Sequence, residues 1–214
     1  MSEGGQMPAQ PHNAEVWKTR GFDFICFVTR KGDMPDFHGA WFIEELPISW
    51  GDPLLNAELP KLNPQSVLEG YEYSVWIDEG TTINGDSFYE NCKELQRKGT
   101  VYAHADSRSC NSVYTYAWKL WRSGLEPFSV IRKALAFLAG NGLFPWSGFH
   151  DTSVLFRAHE NEAVLEFDRW WWECLLTRAG GHYDRLMHLF ALNDTPSLKW
   201  ETMKSDSVRL PRNQ

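Results

Sequence analysis

The chain has 214 residues, 43% of them hydrophobic and 14% aromatic, which is enough for one sizeable core and fits a single domain. Its formal net charge of −7 opposes loose binding to nucleic acid or to an anionic membrane surface, leaving room for a local basic cleft, and does not exclude an anionic small molecule. No apolar run approaches the length of a membrane span, and the polar start MSEGGQMPAQPHN lacks the layout of a secretory signal, so the expectation is a cytoplasmic protein with no membrane partner.

Residues 1–15 are rich in Pro, Gly, Gln and Ser and read as a flexible or loosely docked lead-in. The folded part then starts with GFDFICFVT (21–29), a short apolar run bounded by Gly and by the KGDMP turn, and AWFIEELP (40–47); both are predicted strands. DPLLNAELPKLNPQSVL (52–68) predicts a short helix interrupted by Pro60 and Pro64. YEYSVWID (71–78) alternates as a strand, with Tyr71, Tyr73, Val75 and Ile77 on one face and Trp76 and Asp78 on the other. SFYENCKELQRKG (87–99) has helical spacing and a closing glycine, and TVYAHA (100–105) reads as a strand. Two helices ended by glycine follow, 112–124 and 126–142, as an αα unit. SVLFRAH (153–159) predicts a strand. The segment 160–181 predicts an amphipathic helix with Val164, Phe167, Trp171, Leu175 and Leu176 on its apolar stripe. HYDRLMHLFALND (182–194) predicts a last helix, and 195–214 a polar tail. The alternation of strands and helices over 16–194 argues for one α/β layered domain around a mixed, mainly parallel sheet.

Four cysteines, Cys26, Cys92, Cys110 and Cys174, are scattered without C-x-x-C or zinc-finger spacing and read as reduced thiols. Eleven tryptophans are unusual for this length. Trp170, Trp171 and Trp172 point about 100° apart on a helix and cannot share one ligand, so they read as scaffold.

Asp78 stands where a strand ends, followed by Gly80 and the hydroxyls of Thr81 and Thr82. In open α/β sheets ligands sit beyond the carboxyl ends of strands, and Mg²⁺ or Mn²⁺ takes carboxylate and phosphate oxygens. A metal-diphosphate would be gripped here; the local sequence equally suits a turn-capping Asp.

The ordered set DFICFVT, KLNP, YEYSVWID, YAHADSRSC, LFRAHENEAVLEFDRWWWECL and HYDR, spread over about 21–194, resembles a glycosyltransferase-like domain family that includes plant pectin- and mucilage-related and bacterial capsule-biosynthesis proteins. The resemblance implies a Rossmann-like GT-A fold, a nucleotide-sugar donor, a hydroxyl-bearing acceptor and a divalent cation, Mn²⁺ or Mg²⁺. Asp78 matches the strand-end acid of that family. Gly80 stands where the second acid of a D-x-D would be, so Glu79 or a distant histidine would complete the metal shell, or cationic side chains would take its place.

His104 and Arg108 match a His and an Arg that follow a strand in the family. The Arg fork suits a phosphate, although an ion pair with Asp106 is an equal reading. Trp146, in FPWSGFHD, could wall the donor sugar or tie down its loop; Asp151 closes that turn and is a candidate catalytic carboxylate. Asp184 matches the Asp of an Arg-Asp-Gln triplet at a helix start, as a second catalytic candidate or a plain N-cap, and Arg185 replaces the Gln on the donor side. Sugar transfer to a glycan or to modified nucleic acid, or a binding module without turnover, all remain open at this stage, as does oligomeric state.

Overall fold

The computed structural model describes residues 9–48, 50–83, 85–106, 110–178, 183–203 and 208–209, with backbone alone at 177, 178, 183, 184, 208 and 209. Arg108 therefore lies outside the described residues, as does the side chain of Asp184.

Helix α1 (Ala14–Lys18) leads into strands β1 (Ile25–Val28), β2 (Phe37–His38) and β3 (Trp41–Glu45), which form a three-stranded sheet in the order β1-β3-β2. Helix α2 (Pro53–Leu62) starts on Asp52, whose side chain accepts from the Leu54 N–H at 2.9 Å, with Pro53 where a missing N–H costs nothing. The expected break at Pro60 does not occur: the proline sits in the last turn, and buried Leu59 and Leu62 hold the helix through it. Strand β4 (Tyr73–Ile77), the short β5 (Thr82–Ile83), α3 (Ser87–Lys98) and β6 (Tyr102–Ala105) follow. Gly99 closes α3 at φ +71°, a conformation that suits glycine. Helices α4 (Val113–Arg122) and α5 (Phe128–Gly140) form the expected hairpin, and Ser112 caps α4 by accepting from the Thr115 N–H. Strand β7 (Asp151–Ala158), α6 (Glu162–Arg178), α7 (Tyr183–Asp194), β8 (Trp200–Met203) and β9 (Val208–Arg209) complete the order.

The principal sheet has the order β4-β7-β6-β8. The fold is an α/β domain with mixed sheets, but the sheets are not mainly parallel. Among the described pairings β1·β3 and β6·β8 are parallel, whereas β2·β3, β4·β7, β6·β7 and β5·β9 are antiparallel. The cause is β7, which runs back between β4 and β6 and is buried along almost its whole length. A strand covered on both faces reads as continuous apolar sequence in either direction, so its polarity was not visible in SVLFRAH.

Side chains of β7 alternate between two cores. Leu155 joins Tyr102, Trp76, Phe167, Trp171 and α7 on one face; Val154 and Phe156 join Ala103, Val75, Phe88 and Tyr89 on the other. The face assignment for β4 holds, with Val75 and Ile77 opposite Trp76. On α6, Val164, Phe167, Trp171 and Leu175 are buried as expected, each contributing about 1.5–3 kcal/mol of apolar transfer, whereas Leu176 faces solvent. Trp171 and Trp172 are core, the latter against Trp50, which agrees with their scaffold reading. All four cysteines are free thiols.

Both ends of the domain are tied in more firmly than composition suggests. Trp17 of α1 is buried, stacks on Tyr89 and donates to Asp86 at 2.9 Å, while the Gln10 side chain bridges the backbone of His38 and Ala40. At the other end β8 pairs with β6 inside the principal sheet, so residues 200–203 are a strand of the fold and not a tail. No described helix is long and apolar enough to cross a membrane.

Candidate functional site

Strands β4, β6 and β8 point the same way and β7 runs against them, so the carboxyl ends of β4 and β6 meet the amino end of β7 at one edge. That edge gathers Asp78, the His104–Asp106 segment and His150–Asp151, three of the regions singled out from sequence.

Asp78 follows β4 directly. Its N–H donates to the Ser153 carbonyl at 2.8 Å, extending the ladder by one residue, and its own carbonyl accepts from Thr81 across a turn that Gly80 permits at φ +81°. The side chain is 16% exposed, and cations hold both carboxylate oxygens. Lys61 Nζ lies 3.1 Å from Oδ1, the Trp76 indole donates to Oδ1 at 2.6 Å, and Arg185 Nη2 pairs with Oδ2. Burial pushes the Asp78 pKa up, but Lys61, Arg185 and the Trp76 hydrogen bond outweigh it, so the group is held below the usual carboxylate range.

Lys61, at the end of α2, is only 2% exposed and also lies 4.0 Å from Glu58 Oε2. A buried ammonium is costly without a carboxylate, and Asp78 and Glu58 supply two. Arg185, in the first turn of α7, also lies near the Tyr116 ring, 6.0 Å from its centroid.

The donor set around Asp78 does not fit a divalent cation. A hard cation needs free oxygen ligands, and here two cationic side chains and an indole N–H occupy the carboxylate. Glu79, the second expected ligand, is exposed on the following turn. Among the described residues no three His, Cys, Asp or Glu side chains are disposed to hold a metal.

One turn along α7 from Arg185, His188 is fully buried and belongs to a second cluster with His104 and His150. The rings of His104 and His150 stack at 4.2 Å, and Tyr102 Oη lies 2.6 Å from His188 Nε2. His104 Nδ1 donates to the Ala105 carbonyl at 2.8 Å, which leaves Nε2 as the bare nitrogen. His104 Nε2, His150 Nδ1 and His188 Nδ1 are buried with no hydrogen-bond partner among the described residues. Burial lowers all three pKa values, His150 to about 3; neighbouring imidazoles add to the effect at His150 and His188, and Lys61 adds to it at His188, whereas at His104 the Ala105 carbonyl, Asp151 and Asp106 oppose it without overcoming burial. The cluster is therefore neutral at pH 7 and adjoins the Lys61–Asp78–Arg185 group.

Asp151 opens β7, and its Oδ1 accepts from both the N–H and the hydroxyl of Ser153. It is buried and builds the strand start beside the register shift between His104 and Ala105. Trp146 is 80% exposed and stacks on Phe144, so the reading of it as a buried loop anchor is excluded. Asp184 falls in the first turn of α7, past the N-cap position.

The structure thus joins Asp78 to Arg185 and His104 to the start of β7. Lys61 and His188 are the residues that sequence reasoning missed. Lys61 had one signal, a charged residue in the last turn of a helix between Pro60 and Leu62. No protein-family model matches the chain, and no curated protein or solved structure matches it.

Proposed function

We propose that this chain binds a nucleotide sugar at the shared edge of β4, β6 and β7 and transfers the sugar to an acceptor hydroxyl. The observation that carries the reading is the pair of cations, Lys61 and Arg185, converging on Asp78 at the end of β4. Sugar transfer from a diphosphate donor leaves negative charge on the departing phosphate. A buried ammonium and a planar guanidinium stabilise such charge without reorganising, and do so more strongly than in water. In the resting state Asp78 stands in for that anion. When the donor enters, its phosphate oxygens compete for Lys61 and Arg185, and the released carboxylate is free to accept from a sugar hydroxyl.

Because cations fill the place of a metal, binding is expected to persist in EDTA. Calorimetry with a panel of nucleotide sugars, with EDTA and with Mn²⁺, tests this. The expected result is one donor that binds in both conditions and is weakened about tenfold or more by Arg185→Gln, the loss of one charge-assisted hydrogen bond. Absence of binding to every common nucleotide sugar would remove the proposal.

The engagement of both Asp78 oxygens also favours a second reading, a nucleotide-sugar-binding module without turnover, since the two buried carboxylates at this edge, Asp78 and Asp151, are both taken up by internal donors. Release of nucleoside diphosphate from the bound donor, with water or an acceptor present, separates the two.

A further inference from the structure

The tip of the α4–α5 hairpin exposes an apolar ridge. Trp118, Trp121, Leu125 and Phe128 are 39–60% exposed, with Trp118 and Trp121 ring centroids 4.6 Å apart and Trp121 and Phe128 5.5 Å apart, so the three rings form a continuous ridge and Leu125 lies exposed in the turn between the helices. Soluble surfaces seldom carry two tryptophans, a phenylalanine and a leucine side by side without a partner.

Charge surrounds the ridge asymmetrically. Lys119 and Arg122 on α4 and Arg132 and Lys133 on α5 are exposed, and the single acidic residue between Ser112 and Phe149, Glu126, is buried. This segment therefore carries a net +3 within a chain of −7. Trp118, Trp121 and Arg122 follow i, i+3, i+4 spacing on one face of α4, and Phe128 and Arg132 are four apart on α5, so basic groups flank the apolar ones on the same side.

We infer that this hairpin tip docks on an anionic lipid bilayer, with Trp118, Trp121, Leu125 and Phe128 entering the headgroup boundary and the flanking basic side chains meeting lipid phosphates. Aromatic and leucine side chains with Lys and Arg at their border are the composition of an interfacial anchor. A sugar ligand fits less well: the two indoles meet at 61° and make no flat platform, and Leu125 and Phe128 offer nothing to hydroxyls. The contact lies on the surface of the sheet-flanking hairpin and needs no spanning helix.

Co-sedimentation of the full chain with vesicles tests the inference, using phosphatidylcholine mixed with phosphatidylglycerol, and phosphatidylcholine alone. Binding is expected to the mixed vesicles, to fall with added salt, and to be much weaker to the neutral ones. Lys119→Gln with Arg122→Gln should weaken it about thirtyfold, the effect of two basic residues near a charged surface. Leu125→Glu should weaken it at least tenfold; as an exposed site its melting temperature should hold. The inference is overturned by no binding to the mixed vesicles, by binding that neither variant weakens, or by a concentration-dependent dimer that Leu125→Glu abolishes, which would assign the ridge to a second copy.

Discussion

Replacing Lys61 by Met keeps the length and apolar stem of the side chain and removes its charge. At 3.1 Å, a pair such as Lys61 and Asp78 attracts by roughly 5 kcal/mol gross at an effective dielectric of about 20. Most of that is offset, because the variant no longer buries an ammonium and Asp78 keeps Arg185 and Trp76. A net loss of about 1–3 kcal/mol at pH 7 is expected, or about 2–12 °C in Tm.

The pH dependence distinguishes lost charge from lost packing. In the native chain Asp78 has a folded pKa below its unfolded value of about 3.9, so its contribution is fully present above about pH 5 and is lost as pH falls through the folded value. In the variant burial is less opposed, the folded pKa rises, and acid should cost the variant less than the native chain. The stability gap in urea titrations should therefore narrow between pH 5 and 3.5 by up to about 1.4 kcal/mol per pH unit. In an Asp78→Asn background, Lys61→Met should be neutral or stabilising, since it removes a buried cation that has lost its nearest partner. A gap that stays constant from pH 7 to 3.5, together with an undiminished cost in the Asp78→Asn background, would refute the coupling of Lys61 to Asp78.

Three further outcomes are expected. Arg157 and Asp168 form an ion pair that is 0% and 1% exposed, with Gln65 donating to the same carboxylate, so Asp168→Asn should cost about 3–5 kcal/mol by urea denaturation, and Arg157→Met with Asp168→Leu should recover most of it. Burial holds His159 down to about 4, so the unfolded chain takes up its proton first and stability is lost as pH falls from about 6.5 towards 4; His159→Gln should flatten that slope by up to about 1.4 kcal/mol per pH unit. Trp146→Ala should change stability by less than about 0.5 kcal/mol, because its indole is 80% exposed, and a larger loss in a thermal melt would show that the Phe144 stack anchors the loop.

Local pattern alone determined most of the elements. Period-two alternation in YEYSVWID placed Trp76 and Asp78 on one face of β4, helical spacing marked α6, and glycines at 99, 124 and 142 marked three helix ends, because these signals need only neighbouring residues. Asp78 was recognisable as a strand-end acid for the same reason. What surrounds it was not. Lys61 is 17 residues away and Arg185 is 107 away, and only the packing of α2 and α7 over the sheet brings their charges onto one carboxylate. The antiparallel course of β7 and the entry of Trp200–Met203 into the sheet were likewise decided by tertiary structure. A buried strand carries no local mark of its direction, and a short edge strand takes its backbone partners from β6 rather than from its own side chains.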